Sequence, residues 1–472
     1  MESMSRLCLV VVVIFLVALE FPARASAQVG ELQTFSLNEA LQYAIEHYPT
    51  VKAALEQSNA STANVDVARS AYLPRFDALW QSNRATANNI FGQLLPQSVL
   101  PSISGPVLSS TSSDKVWGSA VGGLLSWEPF DFGLRGAAVH EAEAGVRRAH
   151  AEEGLTRLGV QNAVAHAFLA VVSAQQAASA AEADVLRRDV LARAARTLAD
   201  NQLRPGAEAS RAEAELAAAR TRAIQARQSM VVAEVTLSKV LGLSGGVVGV
   251  NTSRLLDTVP IGTTPSAPPA AHPLVQSNQA AVDLARARET MLEKTDRPRI
   301  YLQSSVFARG SGANPDGSFD GGADGLGLER ANWSAGVQVV FPNLFDFTSL
   351  HARQAAASAL TRAEGARHEE SVLTVTAQQR TAEAMVDAAR AVAQNTPIQL
   401  AAAQQSEAQA RARYDAGLAG IVEVAEAQNL LVGAEYQNGV ARVDVWRALL
   451  ARAVSQGTIA PFIELLRTAG VK

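Results

Sequence analysis

Tyr72-Leu73-Pro74-Arg75 closes a helical stretch that His47-Tyr48-Pro49 opens, and Asp296-Arg297-Pro298-Arg299 closes one that Ala271-His272-Pro273 opens. In both places the two prolines stand 25 residues apart. Proline suits the first helical position and also stops a helix, so each pair brackets about seven turns. Further along, Phe130-Asp131-Phe132 returns as Phe345-Asp346-Phe347, 215 residues later. The same offset pairs Asp200 with Asp415, Leu203 with Leu418, Glu208 with Glu423 and Ala212 with Ala427. The chain is therefore one structural pattern written twice, and such a repeat governs the whole fold. The first copy carries about nine more residues than the second between the closing proline and the Phe-Asp-Phe anchor, a length difference that belongs in a loop.

Between each closing proline and its anchor the period changes from helix to strand. Trp333, Ala335, Val337, Val339 and Phe341 alternate with Asn332, Ser334, Gly336, Gln338 and Val340, which makes a strand with one apolar and one mostly polar face. Its partner falls at Arg299 to Arg309, and the first copy offers Arg75 to Arg84 and Lys115 to Trp127. Each is about the length of a tilted membrane-spanning strand, roughly 9–11 residues. The connections, Ala85 to Asp114 and Gly310 to Ala331, are polar and rich in turn residues, including Asn314-Pro315-Asp316-Gly317. The Asp/Gly cluster from Asp316 to Asp324 reads as a solvated external loop rather than a calcium loop.

After each anchor comes a helical run of about 70 residues, Gly133 to Leu203 and Thr348 to Leu418, roughly 105 Å at 1.5 Å per residue. Each meets a turn candidate, Arg204-Pro205-Gly206 or Gly417-Leu418-Ala419-Gly420, and then resumes for about 35 residues. Pro397 is expected to kink or splice the second run. Helices this long need coiled-coil neighbours. Ahead of the first copy, Ser36 and Glu39 form a capping box for an amphipathic helix with Leu37, Ala40, Leu41, Ala44, Ile45 and Tyr48 on one stripe.

The chain is thus expected to divide into a signal peptide (1–27), a first repeat (28–246), a linker (247–271), a second repeat (272–456) and a C-terminal tail (457–472). Within the repeats, strands are expected at about 75–128 and 299–342, and helical hairpins at about 133–241 and 348–454. The signal is read from Arg6, the apolar run Leu7 to Leu19 and the small-residue cleavage site Ala25-Ser26-Ala27. The alternative, a membrane anchor, needs a longer apolar run. Cys8, the only cysteine, lies far upstream of the cleavage site and is badly placed for lipid attachment. The mature chain would then form no disulfide and no thiolate metal site.

Charge is nearly balanced, with 41 basic and 45 acidic residues, which argues against a nucleic-acid partner. The seven histidines have no metal-ligand spacing, and no phosphate loop, dinucleotide fingerprint or nucleophile elbow is present, so neither an enzyme nor a cofactor is expected. After the signal no apolar stretch is read as a spanning helix, so a membrane crossing would have to be a closed β-barrel. Four strands cannot close one, since the smallest such barrels have about eight, so the open edges must pair with other copies.

The ordered set of Pro to Leu-Pro spacing, Phe-Asp anchors, two hairpin turns and the segment Arg413-Tyr414-Asp415-Ala416-Gly417 through Glu423-Val424-Ala425-Glu426 resembles the outer-membrane efflux proteins, TolC-like ducts. The resemblance runs from about Phe35 to Thr458. It implies a mainly α fold with a β-barrel contribution: two tandem repeats forming long coiled-coil hairpins, four membrane strands per protomer, and a 12-stranded barrel in a homotrimer. It further implies an outer-membrane exit duct with a long periplasmic portion, serving a tripartite efflux or type I secretion system with a periplasmic adaptor and an inner-membrane transporter. The rival reading is a soluble periplasmic coiled-coil adaptor or scaffold.

For such a duct the resemblance points to a gate at Tyr414, Glu423 and Glu426. The family carries Asp where this chain has Glu423 and Glu426, and the plainer role of acidic residues near a helix start is to complement its dipole. The family's basic latch residue would fall at Ala419, which leaves Arg204 or Arg211 of the other hairpin as candidates. Leu203, Arg204, Pro205, Gly206, Gly417, Leu418 and Gly420 would form the hairpin tips, where the family docks its adaptor, although glycine and proline also simply make turns. Trp80, Trp117, Trp127, Trp333 and Phe341 lie in or beside the strands, where barrels meet outer-membrane lipid, unless they are buried pairs within the sheet.

Overall fold

The computed structural model describes residues 33–86, 88, 94–101, 113–243, 248–251, 255–257, 267–314, 316, 318–342 and 346–468. The signal segment, Phe345, Pro315, Gly317 and most of the linker lie outside the described residues.

Each copy of the repeat folds as helix, strand, strand, long helix, return helix. The first consists of α2 (Pro49–Ser70), β2 (Arg75–Thr86), β3 (Lys115–Phe130), α3 (Leu134–Asp200) and α4 (Gly206–Leu241). The second consists of α5 (Pro273–Leu292), β5 (Arg299–Ser311), β6 (Arg330–Val340), α6 (Phe347–Asp415) and α7 (Ile421–Ser455). Ahead of both comes α1 (Leu37–His47), whose Ser36 Oγ accepts from the Glu39 amide while the Glu39 carboxylate accepts from the Ser36 amide at 2.8 Å. A two-residue strand, β1 (Thr34–Phe35), pairs in parallel with β4 (Gly249–Val250), which ties the linker to the chain's start. Helix α6 runs on through Pro397, so the proline does not splice it. The segment after Ser455, read from sequence only as a tail, forms α8 (Ala460–Thr468), with Phe462 and Leu466 buried in the core.

The proline spacing has a packing reason. Helix α4 ends at Gly242, whose backbone at φ +78° faces His47, Tyr48 and Pro49, where α2 begins. Helix α7 is followed by Gly457, at φ +82°, against His272 and Pro273, where α5 begins. A β-carbon at Gly457 would stand 2.6 Å from Pro273 Cδ and 2.9 Å from His272 Cα, so this approach requires glycine as much as the left-handed turn does. A short helix and a return helix thus abut end to end, and both pack along the same long helix, α3 in one copy and α6 in the other.

The main core forms around these junctions. Leu37, Leu41, Phe168, Leu169, Leu237, Leu241, Trp446, Leu450 and Phe462 are all buried there, and Trp446 Nε1 donates to the Leu255 carbonyl at 2.7 Å. One stretch of α3 is apolar enough to cross a membrane, but half of it is buried inside the protein, as Phe168, Leu169, Val171 and Val172 are in this core.

The four long strands form one antiparallel sheet in the order β2-β3-β5-β6, so the copies join through β3 and β5 and leave β2 and β6 as open edges. The register sorts the faces. Phe76, Trp80, Val121, Leu125, Trp127, Leu302, Val306, Trp333, Val337 and Val339 share one side, and their larger members are exposed. Asp77, Gln81, Asn83, Ser126, Gln303, Ser305, Asn332, Ser334 and Gln338 share the other. A sheet whose apolar face is exposed and whose opposite face is polar suits lipid outside and water inside. At the end of β3 the Asp131 carboxylate accepts from the Gly133 and Arg135 amides and from Arg135 Nε, while Arg135 Nη1 donates to the Ala71 carbonyl. The Phe-Asp-Phe anchor is therefore a clasp between strand, long helix and the end of α2.

Candidate functional site

The two hairpin tips end their long helices in the same way. Gln202 N donates to the Ala199 carbonyl and Leu203 N to the Leu198 carbonyl; 215 residues on, Gly417 N donates to Tyr414 and Leu418 N to Arg413. Both are Schellman closures with the turning residue left-handed, Gln202 at φ +60° and Gly417 at φ +76°. The first chain reversal therefore lies at Asn201 to Leu203, ahead of the Arg204-Pro205-Gly206 expected from sequence. Pro205 caps α4, whose first residue is Gly206, and Gly420 caps α7. Leu203 and Leu418 project from the two tips, 70% and 74% exposed.

Behind the tips the hairpins pack through small residues. Ala192, Ala195, Ala212 and Leu216 of the first meet Ala410, Tyr414, Ile421, Val424 and Ala427 of the second. Alanine lets helix backbones approach closely, so there is little room beside Tyr414, which is only 3% exposed. The Arg204 guanidinium covers the Tyr414 ring at 5.0 Å, and its Nη2 donates to the Tyr414 carbonyl at 3.1 Å. Arg204 Nη1 also stands 3.8 Å from Glu208 Oε1. Burial pushes the Tyr414 phenol above its ordinary pKa, the Glu208 charge adds to this, and Arg204 opposes it, so the phenol is neutral. Of the two arginines considered from sequence, Arg204 is the one brought to the tyrosine; Arg211 lies instead beside Ile421 and Ala425.

Glu423 and Glu426 open α7 on a face away from the buried Val424 and Ala427. Glu426 is exposed, and Glu423 Oε1 lies 3.3 Å from Arg413 Nε, so one of the two carboxylates is partly neutralised.

Sequence reasoning missed a second set of cross-hairpin bonds on the far side of this core. Arg188, almost wholly buried, donates to Asp184 at 2.8 Å, Glu215 at 2.8 Å and Asn429 at 2.7 Å. Arg187 grips Glu435 with both terminal nitrogens, at 3.0 and 2.7 Å. The only sequence signal was an i, i+4 acid–base pair, which is usually a surface feature.

In the sheet, the register puts Trp80, Trp117, Trp127 and Trp333 on the apolar side, with Phe341 continuing it beyond β6. Trp127 and Phe341 lie at the helix-ward end and Trp117 at the loop-ward end, with Trp80 and Trp333 between. Trp127 Nε1 donates to the Tyr72 carbonyl, and Arg84 lies over the Trp117 ring. Among the described residues no group of three or more His, Cys, Asp or Glu could hold a metal ion.

The outer membrane efflux protein model matches residues 40–243 and 269–451, both copies of the repeat. The chain belongs to the outer membrane efflux protein family. It is accordingly an outer-membrane efflux channel, and the soluble coiled-coil reading falls. Solved channels share the fold at low identity. The outer membrane protein VceC of Vibrio cholerae superposes with a TM-score of 0.69 at 17% identity, over 89% of this chain and 96% of that one. The CmeC outer membrane channel of Campylobacter jejuni gives 0.71 at 15% identity, over 89% and 85%. The MtrE outer membrane channel of Neisseria gonorrhoeae, in its open state, gives 0.69 at 18% identity, over 89% of each chain. No curated protein sequence matches the chain. The family and these neighbours are channels, not enzymes.

Proposed function

We propose that three copies of this chain close a 12-stranded barrel by pairing β6 of each with β2 of the next, and that their helices continue it as a tube on the periplasmic side. The observation that carries this reading is the four-stranded sheet itself: both edges are open and one face carries most of the exposed large apolar side chains, among them Phe76, Trp80, Val306, Trp333 and Val337. An unpaired edge in lipid leaves backbone groups unsatisfied, so only closure with further copies is stable. The long helices, of 67 and 69 residues, set the tube's length at roughly 100 Å. The apolar strand face meets outer-membrane lipid, with Trp127 and Phe341 at one margin and Trp117 at the other.

At the far end, Leu203, Arg204, Pro205, Gly206, Gly417, Leu418 and Gly420 form the surface that meets a periplasmic adaptor, which connects the duct to an inner-membrane transporter. Two exposed leucines on otherwise solvated turns support this, because water gains nothing from them and a partner would. Arg204 and Tyr414 hold the two hairpins of a protomer together in the resting state. Glu423 and Glu426, repeated three times around the axis, set a negative potential at the mouth, as rings of carboxylates do in cation-attracting pores. The test is block by hexaamminecobalt(III) in planar-bilayer recordings. Glu423→Gln with Glu426→Gln should weaken the block at least tenfold, and unchanged block would remove both residues from the aperture.

A further inference from the structure

We infer that the segment Leu94–Leu100, from the loop joining β2 to β3, is a lid seated inside the barrel, where it sets the size limit for what leaves. The position follows from register. Leu79, Ala120, Gly122 and Phe307 all belong to the polar, water-facing side of the sheet, because Leu79 pairs with Gly122 and Gly122 with Phe307. Leu100 is 4% exposed and packs on this side with Ala120 and Phe307, both buried, flanked by Leu79, Leu94 and Val99. The seat is a notch that only glycine leaves open: a β-carbon on Gly122 would stand 2.3 Å from Leu100 Cδ2. The segment also holds its own shape. Gln97 Oε1 accepts from the Val99 and Leu100 amides at 2.6 and 2.7 Å, and Gln97 Nε2 donates to the Leu100 carbonyl at 3.0 Å.

The seat lies deep. Gly122 is seven residues below the loop-ward end of β3 at Lys115, roughly 23 Å along the strand and about 18 Å below the rim once strand tilt is included. The lid is therefore not a rim decoration. In the trimeric barrel proposed above, on which this inference rests, twelve tilted strands put the backbone roughly 12 Å from the axis. A layer of chain packed on a sheet stands about 10 Å off it, so three lids would fill most of the lumen. Leu100 is an apolar plug on a polar wall, held by one apolar patch. Burying a single leucine favours the seated form by roughly ten- to a hundredfold, which is strong enough to rest closed and weak enough to yield to cargo.

The test reads the lumen from outside, independently of the periplasmic gate. Gln303 faces the lumen and is exposed, nearer the helix-ward end than Gly122. Gln303→Cys in intact cells is reacted with a small membrane-impermeant maleimide or with a maleimide carrying a polyethylene glycol of several kilodaltons. With the lid intact, the large reagent should label at least tenfold more slowly than the small one. Adding Leu100→Ser or Gln97→Ala should raise the large reagent's rate by at least fivefold and leave the small reagent's rate unchanged. Rapid labelling by the large reagent with the lid intact would overturn the inference, whatever the variants do. So would a large-reagent rate unmoved by both variants. The native mass of the labelled protein reports separately on the trimer, so failure of that reading is distinguishable.

Discussion

On the gate reading proposed above, Arg204→Ala should loosen the closed entrance by a calculable amount. The side chain makes a charge-assisted bond to the Tyr414 carbonyl and covers the Tyr414 ring at 5.0 Å, with a long ion pair to Glu208 at 3.8 Å. A hydrogen bond from a charged donor contributes about 1.5–3 kcal/mol when partly buried, and the ring contact about 0.5–1 kcal/mol. The ion pair is long and partly solvated, so it adds little. Such contributions overlap, and about 2 kcal/mol per protomer is a fair total, a factor of roughly 30 in the closed-to-open ratio. The assay is single-channel recording of the purified full-length protein in planar bilayers. Arg204→Ala should convert a mostly closed channel into one with long openings of high conductance, and Arg204→Lys should fall between, since it keeps the charge and loses the planar stacking.

Tyr414→Phe separates this account from one centred on the phenol. Arg204 bonds the tyrosine's backbone and covers its ring, and both survive in phenylalanine. The phenol oxygen is buried near the Glu208 carboxylate and makes at best a weak contact with it, with no partner in strict hydrogen-bond geometry. Its removal should therefore change the open fraction by less than about fivefold. Wild-type behaviour in Arg204→Ala, or a larger effect from Tyr414→Phe than from Arg204→Ala, would refute the reasoning.

Two further outcomes concern stability. Buried His272 accepts from the Leu274 amide at Nδ1 and donates from Nε2 to the Val454 carbonyl, which only the neutral ring can do. Burial holds its pKa below the ordinary value, so its contribution is intact above about pH 6.5 and is lost as pH falls toward the depressed value. The melting temperature should drop between pH 7.5 and 5.5, and His272→Asn, which keeps a helix cap without titrating, should flatten that drop; equal slopes would exclude His272 as its source. Arg188→Met strands the buried Asp184 carboxylate with Arg222 alone and should cost about 3–5 kcal/mol. Arg188→Met with Asp184→Leu should recover much of this, as heat unfolding at a fixed scan rate would register, and a purely additive double variant would deny the coupling.

Much of this fold was legible because long periodic elements announce themselves. The prolines at 49, 74, 273 and 298, and the alternation from Asn332 to Phe341, mark elements whose period and ends are local properties. The strand extents differ from expectation by only a few residues at their ends. What stayed hidden depends on contacts between distant parts. Gly457 looked like the start of a tail, but it turns the chain left-handed against Pro273 and sends Phe462 into the core. Leu100 lies in the connection read only as polar and turn-rich, and its seat at Gly122 follows only once register has assigned the sheet's inner face. Arg188 drew no notice in the sequence, and its three partners, Asp184, Glu215 and Asn429, come from three helices.

The entrance shows why a site on a repeat is only half readable. Sequence offered a tyrosine at 414, no basic partner at 419, and two arginines on the other hairpin. The 215-residue offset maps Arg204 onto Ala419 and Tyr414 onto Ala199. The missing basic residue is therefore present at the equivalent tip of the first copy, and the hairpins pack so that it meets the tyrosine of the second. In a trimer with six alternating hairpins, this contact would have a counterpart at the seam between protomers, and there the offset supplies Ala199 and Ala419. One contact carries charge and aromatic ring, and the other carries two methyl groups. In the proposed trimer, duplication would thus provide two quasi-equivalent seams, with the arginine–tyrosine contact at only one of them. On the proposed gate reading, the charged restraint on opening lies within each protomer, at Arg204 and Tyr414.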